Sequence, residues 1–515
     1  MIQNRLIAYS SRRSGGREAR RNLRAAPLAE DLQPIRAGLE GGNFKPLDAA
    51  AVQAVDKTVY QILEEIGLSQ APDSGVKYMT DAGAILGDDG RLRFPRGLVE
   101  DTLAKCARNI TLYGQNPKHD LLLSGSRVHY GTAGAAVHVV DIAKNEYRES
   151  FLADIYDAAR IVEQMDNIHF FQRPMVARDI SDPADLDFNT VYAAIKGTTK
   201  HVGVSFTEAE FMKPVFEMLH SVAGSEGKWR ARPFVSNSNC FVVPPLRFAT
   251  ESCLVMEEAV HNGMPVLLLS AGQAGATAPA SIAGAVAQAL SEVIAGLIYV
   301  NAMKPGHPCI CGTWPFVSDL RTGAMSGGSG EQGLLTAACA QMLQHYDLPG
   351  GAAAGMADAK MPDAQSGYEK GSTLVMAGLY GLNMVYEAAG MHASLLGFCL
   401  DSLIIDNDIL GQCLRCVRGI EVNEETLAVQ VMKDICMSGP GHYLGHNQTI
   451  NLMQTEYVYP AIADRSSPKE WEELGKPNLL EVARQRKEDI LANSHPSHVS
   501  DALDAELRSR FRILL

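Results

Sequence analysis

Residues 346–371 concentrate the polar side chains that could carry chemistry. The segment reads YDLPGGAAAGMADAKMPDAQSGYEKG, and its glycine-rich part precedes Asp358, Lys360, Asp363, Gln365, Tyr368 and Glu369. Glycine loses the most backbone freedom on folding, so such a run is typical of a chain that turns sharply beside something it must approach closely. Because helical patterns flank the segment (LLTAACAQMLQHY and STLVMAGLYGLNMVYEAA), we predict a loop at the end of a strand, between two helices.

The elements that position this loop alternate between strands and helices. Apolar, β-branched runs that end in turn residues are separated by amphipathic or alanine-rich helical patterns, which indicates parallel strands covered by helices. About eight such units between residues 121 and 410 predict a (β/α)8 TIM barrel rather than an open doubly wound sheet. The runs are RVHYGTAG with AVHVVD, NIHFFQRPMV, KHVGVSF, RPFVSNSN, MPVLLLSAGQAG, HPCICGTWPFVSD, LPGGAAAG and ASLLGFCLDS.

The regions outside this alternation are predicted to be helical or mobile. Residues 26–120 form a helical N-terminal region, and residues 411–515 form a helical C-terminal region packed on the barrel. Residues 1–25 hold seven arginines and one acid, a charge of +6 that leaves −19 for the remainder, so we predict a basic, mobile tail. The acidic body argues against nucleic-acid binding and suits a cationic substrate.

Composition narrows the class of protein further. Apolar residues make up 46% of the 515-residue chain, enough for a large core. The apolar stretch 281–300 contains a glutamate and predicts a buried helix rather than a membrane span. Without a signal-peptide pattern we expect a cytoplasmic protein. The ten cysteines are scattered as in a reducing compartment, and the pairs Cys309/Cys311 and Cys413/Cys416 are interpreted as buried apolar residues, so no metal site is predicted.

Four segments together resemble the trimethylamine:corrinoid methyltransferase family, in its branch without pyrrolysine that includes glycine betaine methyltransferases. They are GTAGAAVHVVD, SGGSGEQG (326–333), DLPGGAAAGMADAKMPDAQSGYEK and GPGHYLGHNQTINLMQTEYVYP (439–460). The resemblance implies a (β/α)8 barrel that moves a methyl group from a methylated amine to the Co(I) corrinoid of a separate protein, with no permanently bound cofactor. Trimethylamine enzymes of this family carry pyrrolysine, whereas this chain contains only the twenty common residues. Its absence favours a quaternary amine as the substrate, because the amine that departs from a quaternary ammonium is neutral and needs no proton. We also expect a homo-oligomer.

Given that resemblance, candidate residues divide by the part of the substrate they would contact. Aromatic faces bind quaternary ammonium, and Glu331 or Glu369 would add Coulomb attraction unless they cap helices. A substrate carboxylate would need a donor, and His442, His446 or Asn239 could supply it. His442 and His446 are spaced i, i+4, but the surrounding glycines and proline disfavour a metal-binding helix. The catalytic candidates are Glu331, Tyr368 and Glu369; the substrate-binding candidates are Phe206, Asn239, Trp314, Phe316, Asp363, Gln365, His442 and His446.

Two other functions stay open at this stage. The chain could be a different barrel enzyme of the lyase or aldolase type, with SGGSGEQG holding a phosphate and Lys360 forming a Schiff base. It could also be a catalytically silent relative that binds an amine. A Schiff-base lysine requires a desolvated site, which the structure can test.

Overall fold

The computed structural model describes residues 32–515 except residues 43, 438 and 440. The basic tail predicted for residues 1–25 lies outside them. The described chain divides into two compact units. One contains residues 32–36 with Ile420–Tyr459, and the other contains Ala37–Gly419 with Pro460–Leu515.

A curled sheet of nine strands organises the larger unit. Eight of its strands are parallel, and Leu39–Glu40 adds an antiparallel edge against the first of them. Each parallel strand is short and almost wholly buried, as expected for strands covered by helices. These strands are β1 Arg127–Tyr130, β2 Phe170–Gln172, β3 His201–Val204, β4 Val235–Asn237, β5 Val266–Ser270, β6 Cys309–Thr313, β7 Gly350–Ala353 and β8 Met384–Tyr386.

Every parallel strand is followed by a helix. The longest, α5, corresponds to the apolar stretch predicted as a buried helix; it is long and apolar enough to cross a membrane by composition, but it lies buried in the protein. The helices are α1 Leu152–Glu163, α2 Pro183–Gly197, α3 Met212–Ala223, α4 Thr250–His261, α5 Ile282–Met303, α6 Gly330–His345, α7 Ala364–Tyr380 and α8 Leu400–Arg418.

The sheet curls so far that its two ends meet. Strand β8 pairs in parallel with β1, and β2, at the other end of the strand order, approaches β1 through a parallel bridge between Gly131 and Phe170. The backbone N–H of His169 donates to the Tyr130 carbonyl at 2.6 Å. The result is a barrel-like α/β architecture whose strands all end at the same mouth.

Shorter elements surround the barrel-like core. Before it lie the helices Ala49–Gln61, Asp73–Asp81 and Arg96–Lys105 and the strands Leu68–Ser69, Ile85–Leu86, Arg91–Arg93, Ile110–Leu112 and Leu121–Leu123. After it come the helices Pro468–Glu473, Leu479–Asn493 and Asp501–Arg510. The smaller unit contains the helices Val429–Cys436 and Asn447–Leu452. The N-terminal region is therefore mixed rather than purely helical.

The eighth strand differs from the sequence prediction. ASLLGFCLDS was expected to form it, but only Gly397–Phe398 is extended there, in a small sheet outside the barrel strands. The true strand, β8, lies inside the pattern STLVMAGLYGLNMVYEAA that predicted one helix. Helix α7 ends at Gly381, whose φ of 74° suits glycine, and the chain re-enters the sheet three residues later.

Buried neutral histidines predict that the fold weakens in mild acid. Burial lowers the pKa of His129 to about 3 and those of His201 and His307 to about 4, all below the usual 6.5. The unfolded chain therefore takes up protons below pH 6.5 that the folded chain does not, and stability present above pH 6.5 is lost as the pH falls towards 4.

Thermal unfolding followed by circular dichroism between pH 7.5 and 5 measures this effect. We expect the Tm to fall steadily below pH 6.5, at fixed ionic strength. A Tm that stays constant down to pH 5 would contradict the burial of neutral imidazoles in this core.

Candidate active site

A buried carboxylate stands at the barrel mouth. Glu387 directly follows β8, is 0% exposed, and adopts a left-handed backbone conformation with φ 60°. Within the described part of the chain, neither of its carboxylate oxygens has a hydrogen-bond partner. Burial alone raises its pKa from 4.5 to about 8. A buried acid without partners is costly, and such strained, desolvated groups cluster at functional sites.

The chain on either side of Glu387 is held firmly. The backbone N–H of Ala388 donates to the Gly131 carbonyl at 2.9 Å, which ties the residue after Glu387 to the end of β1. The Gly390 N–H donates at 2.7 Å to Asp406 on α8, and the same carboxylate forms a 2.9 Å ion pair with Lys370 on α7. Both side chains of that pair are only 1% exposed. Glu387 is therefore fixed by two helices and a neighbouring strand.

A group of aromatic rings is built around the residue before Glu387. Tyr386, the last residue of β8, lies 5.1 Å from Trp314 and 5.2 Å from Phe170 between ring centroids. A Cβ added at Gly351 would lie 2.7 Å from the Tyr386 ring, so glycine at that position of β7 leaves the ring its space. Trp314 follows β6, and its buried indole N–H has no hydrogen-bond partner among the residues described. These rings gather at the end of the strand that Glu387 follows, and ring faces suit a desolvated cation.

A polar cluster occupies the ends of β2, β3 and β4. Gln172 donates its side-chain amide to the Ser238 hydroxyl, and Ser205 Oγ lies 3.4 Å from Ser238 Oγ. Arg173, the residue after β2, donates from Nη2 to Ser205 Oγ at 3.3 Å. Its Nε is buried and has no partner among the residues that the structure describes. The mouth thus carries donors on one side and the Glu387 carboxylate on another.

An open cavity of about 630 Å³ adjoins the mouth over β5 to β8. Its wall comes from the connections that follow these strands, including Val317, Asp319, Glu331, Lys360 and Ser394. Glu387 does not line it, but Ser394 belongs to the same connection, between β8 and α8. The cavity therefore lies beside the buried carboxylate rather than around it.

The three catalytic candidates from the sequence lie in different environments. Glu331 is exposed at the start of α6 and lines the cavity. Tyr368 lies on α7 with 65% of its surface exposed. Glu369 is buried, and its carboxylate accepts hydrogen bonds from the backbone N–H groups of Asp358 and Ala359 at 2.8 and 3.1 Å. The structure does not bring the three together.

Among the substrate-binding candidates, Trp314 lies in the aromatic group at the mouth. Phe316 is buried in the short strand Phe316–Ser318. Phe206, after β3, is buried, and Asn239 is hydrogen-bonded to both of its backbone groups: Asn239 Oδ1 accepts from the Phe206 N–H at 3.0 Å, and Asn239 Nδ2 donates to its carbonyl at 2.7 Å. Asn239 therefore joins the connections after β3 and β4.

The remaining candidates have local structural roles. Asp363 caps helix α7 by accepting from the Ser366 N–H at 3.0 Å, and Gln365 donates to Glu369 Oε1 at 2.8 Å. His442 is exposed in the smaller unit. His446 caps the helix Asn447–Leu452, with Nδ1 accepting from the Gln448 N–H at 3.1 Å. In residues 32–515, apart from the three omitted positions, no group of three His, Cys, Asp or Glu side chains could hold a metal ion.

The glycine-rich segment 326–333 does not form an open phosphate cradle. The Asp358 carboxylate accepts from the Gly327 N–H at 2.8 Å and from the Ser326 hydroxyl at 2.7 Å, so an internal acid occupies these donors. Lys360 is exposed, and its ammonium donates to the Asp358 carbonyl at 2.6 Å. A Schiff-base lysine needs a desolvated amine. The structure therefore supports neither the phosphate-binding segment nor the Schiff-base lysine that the lyase or aldolase alternative requires.

Sequence reasoning missed Glu387 and Arg173. Both follow a barrel strand directly, at the face where barrel enzymes bind substrates. Glu387 was hidden because NMVYEAA was read as the end of a helix. Arg173 lay within a recognised strand run, NIHFFQRPMV, and the signal available was a charged residue between that strand and Pro174.

Comparison with known proteins agrees with this architecture and defines the class. The family model described as trimethylamine methyltransferase (MTTB) matches residues 13–512. The protein is a methyltransferase, and the chain belongs to the trimethylamine methyltransferase family.

Individual relatives are similar over nearly their whole lengths. A trimethylamine methyltransferase of Desulfitobacterium hafniense is 29% identical over 94% of this chain and 97% of its own. A glycine betaine methyltransferase of the same species is 28% identical over 91% and 96%. The solved monomethylamine methyltransferase of Methanosarcina barkeri covers 90% of both chains with a TM-score of 0.51 at 11% identity, which shows a shared fold.

Substitutions at two neighbouring residues separate a structural from a catalytic role in this region. Glu369→Gln keeps an oxygen for these two N–H groups, but it removes the negative charge that strengthens both bonds and turns an NH2 group towards the Gln365 donor, so we expect a loss of about 1–3 kcal/mol of stability. Tyr368→Ala, the matched exposed change, should stay within about 0.5 kcal/mol.

Denaturant unfolding of the two variants measures the difference. A Glu369→Gln protein with full stability but no methyl transfer would instead assign this carboxylate to the chemistry.

Proposed function

We propose that this chain transfers a methyl group from a quaternary methylated amine, such as glycine betaine, to the Co(I) corrinoid of a separate protein. The observation that carries the proposal is Glu387, a buried carboxylate without a partner among the described residues. It directly follows Tyr386, the last residue of β8, whose ring packs on Trp314 with 5.1 Å between centroids. Family membership supports methyl transfer, and a relative named as a glycine betaine methyltransferase supports this substrate class.

A quaternary ammonium fits this site better than a protonated amine. It carries a permanent positive charge but has no N–H donor that needs an acceptor, so one charge and ring faces are enough to hold it. Each desolvated aromatic face contributes about 0.5–2 kcal/mol. Glu387 supplies the charge, and its high pKa means that the empty site holds a neutral acid. We infer that the acid ionises as the cation enters.

The reaction requires the protein to orient the substrate rather than to transfer a proton. Co(I) attacks the methyl carbon, the carbon–nitrogen bond breaks, and its electron pair stays on nitrogen, which leaves as a neutral tertiary amine. Glu387, Tyr386 and Trp314 would hold the ammonium with one methyl group directed outward, which is catalysis by orientation. No general acid is required for this step.

The remaining candidates take supporting roles in this proposal. Glu369 positions the connection after β7 through the backbone of Asp358 and Ala359. Glu331 faces the adjoining cavity, which we propose as the approach for the methyl acceptor. We also infer that the sheet is a complete (β/α)8 barrel. The Gly131–Phe170 bridge and the His169–Tyr130 hydrogen bond support closure between β1 and β2.

A methyl-transfer assay tests the function directly. With a cognate corrinoid protein reduced to Co(I), we expect at least one of glycine betaine, proline betaine, carnitine and choline to shift the absorbance to methyl-Co(III). Glu64→Gln, a substitution of the same kind at an exposed acid of the N-terminal region, is the control. Failure with all four amines would refute the proposal, and amine binding without any shift would favour a silent amine-binding protein.

Glu387→Gln separates cation binding from structural support. The ionised carboxylate has no compensating partner among the described residues, and its pKa of about 8 lies above the unfolded value of 4.5. Ionisation therefore favours unfolding as the pH rises from 4.5 to 8, at a cost of the order of 3 kcal/mol at pH 7. The amide removes that cost.

We therefore expect Glu387→Gln to raise the Tm of the ligand-free protein at pH 7.5 while it removes binding of glycine betaine in calorimetry. A variant with a lower Tm and unchanged affinity would show that Glu387 holds the fold together instead.

A further inference from the structure

Arg173 is a cation at the barrel mouth without an anionic partner among the described residues. Its guanidinium makes one described hydrogen bond, the 3.3 Å contact from Nη2 to Ser205 Oγ, and its Nε is buried and unpartnered. Burial lowers its pKa, and the charge of Asp187 acts in the opposite direction. The Asp187 carboxylate, however, accepts from the Thr207 N–H at 2.6 Å and the Thr207 hydroxyl at 2.9 Å.

Such a group is expensive to leave unsatisfied. A guanidinium carries five N–H donors in a planar fork, and a buried charge is normally paired and hydrogen-bonded. The neutral hydroxyl of Ser205 can satisfy one of these donors. The fork geometry matches a carboxylate, which accepts two parallel hydrogen bonds from it. The site therefore has the chemistry of an anion subsite.

The position of Arg173 relates this subsite to the proposed cation site. Strand β8 pairs with β1, and β2 contacts β1 through the Gly131–Phe170 bridge, so the ends of β2 and β8 are separated laterally by two strand spacings, about 10 Å. Once Glu387 is ionised, it and Arg173 carry opposite charges at one mouth, and no ion pair joins the two side chains among the described contacts. A short ligand with a cationic and an anionic end could contact both.

We propose that Arg173 binds the carboxylate of a zwitterionic substrate, so that this methyltransferase selects ammonium carboxylates over simple quaternary cations. This inference rests on the proposed function for the identity of the cationic end. It replaces the donors expected from the sequence: the Asn239 amide is bonded to the Phe206 backbone, and His446 caps a helix of the smaller unit. Arg173 is a specificity residue in this account, since it contacts the end of the substrate remote from the departing amine.

Calorimetry on the full chain tests the assignment without a corrinoid protein. The ligands are glycine betaine, its methyl ester, choline and tetramethylammonium, and the variants are Arg173→Met and Arg173→Lys. Arg178→Gln, an arginine in the same connection that pairs with Glu149 at the surface, is the matched control. If the carboxylate contact is bidentate, Arg173→Met should lower the affinity for glycine betaine by roughly 10- to 100-fold, and Arg173→Lys should lower it by less.

Tetramethylammonium should bind both Arg173 variants within about twofold of the wild-type affinity, and Arg178→Gln should bind all four ligands normally. Equal losses for glycine betaine and tetramethylammonium would reduce Arg173 to a structural residue and overturn the proposal. The unmodified chain gives a test independent of folding, because it should prefer glycine betaine to its methyl ester by at least about tenfold. No preference, or no binding of any of the four ligands, would also overturn it.

The same data separate this inference from the proposed function. Arg173-dependent binding of glycine betaine, with no methyl transfer to Co(I), would leave the anion subsite standing and remove the methyltransferase assignment for this substrate. Methyl transfer from choline that is unaffected by Arg173→Met, with no preference for betaines, would keep the function and remove the subsite.

Discussion

A single desolvated carboxylate governs the design of this barrel mouth. Glu387 lies in a strained conformation after β8, without a hydrogen-bond partner in the described part of the chain. Burial that would destabilise the empty protein becomes useful when a permanent cation enters, because low polarity strengthens the attraction. The rest of the mouth serves this constraint. Asp406 and Lys370 fix the connection that carries Glu387, and the Gly351 position leaves space for the ring of Tyr386, the residue before it.

The sequence predicted the alternation of strands and helices because buried parallel strands and amphipathic helices leave strong apolar patterns. It failed at β8, where the strand has only three residues and follows α7 after a short turn. Helical periodicity over LVMAGLYGL continued into MVY, so the boundary carried little pattern information. Gly381, in the left-handed conformation at the helix end, was the local signal. The N-terminal strands of two or three residues were missed for the same reason of length.

The site was less predictable than the fold, because its chemistry depends on what the side chains do not contact. Residues 346–371 contain many polar groups, but Asp358, Asp363 and Glu369 are engaged by backbone N–H groups. The spacing of residues in the sequence cannot distinguish an acid that accepts backbone hydrogen bonds from one that is available to bind a ligand. Trp314 was predicted to bind the substrate through its ring face, and in the structure its ring centroid lies 5.1 Å from that of Tyr386. Glu387 and Arg173 could be recognised as candidate site residues only from the structure, where both Glu387 oxygens and Arg173 Nε lack a partner among the described residues.

Proton release on substrate binding tests the central claim most directly. At pH 7 the Glu387 carboxyl of the empty protein is mostly protonated, since its pKa is about 8, and a bound ammonium would ionise it. Calorimetric titration of glycine betaine in two buffers of different ionisation enthalpy counts the protons. The account predicts release of nearly one proton per bound betaine from the wild-type chain. Binding of equal strength without proton release would contradict it.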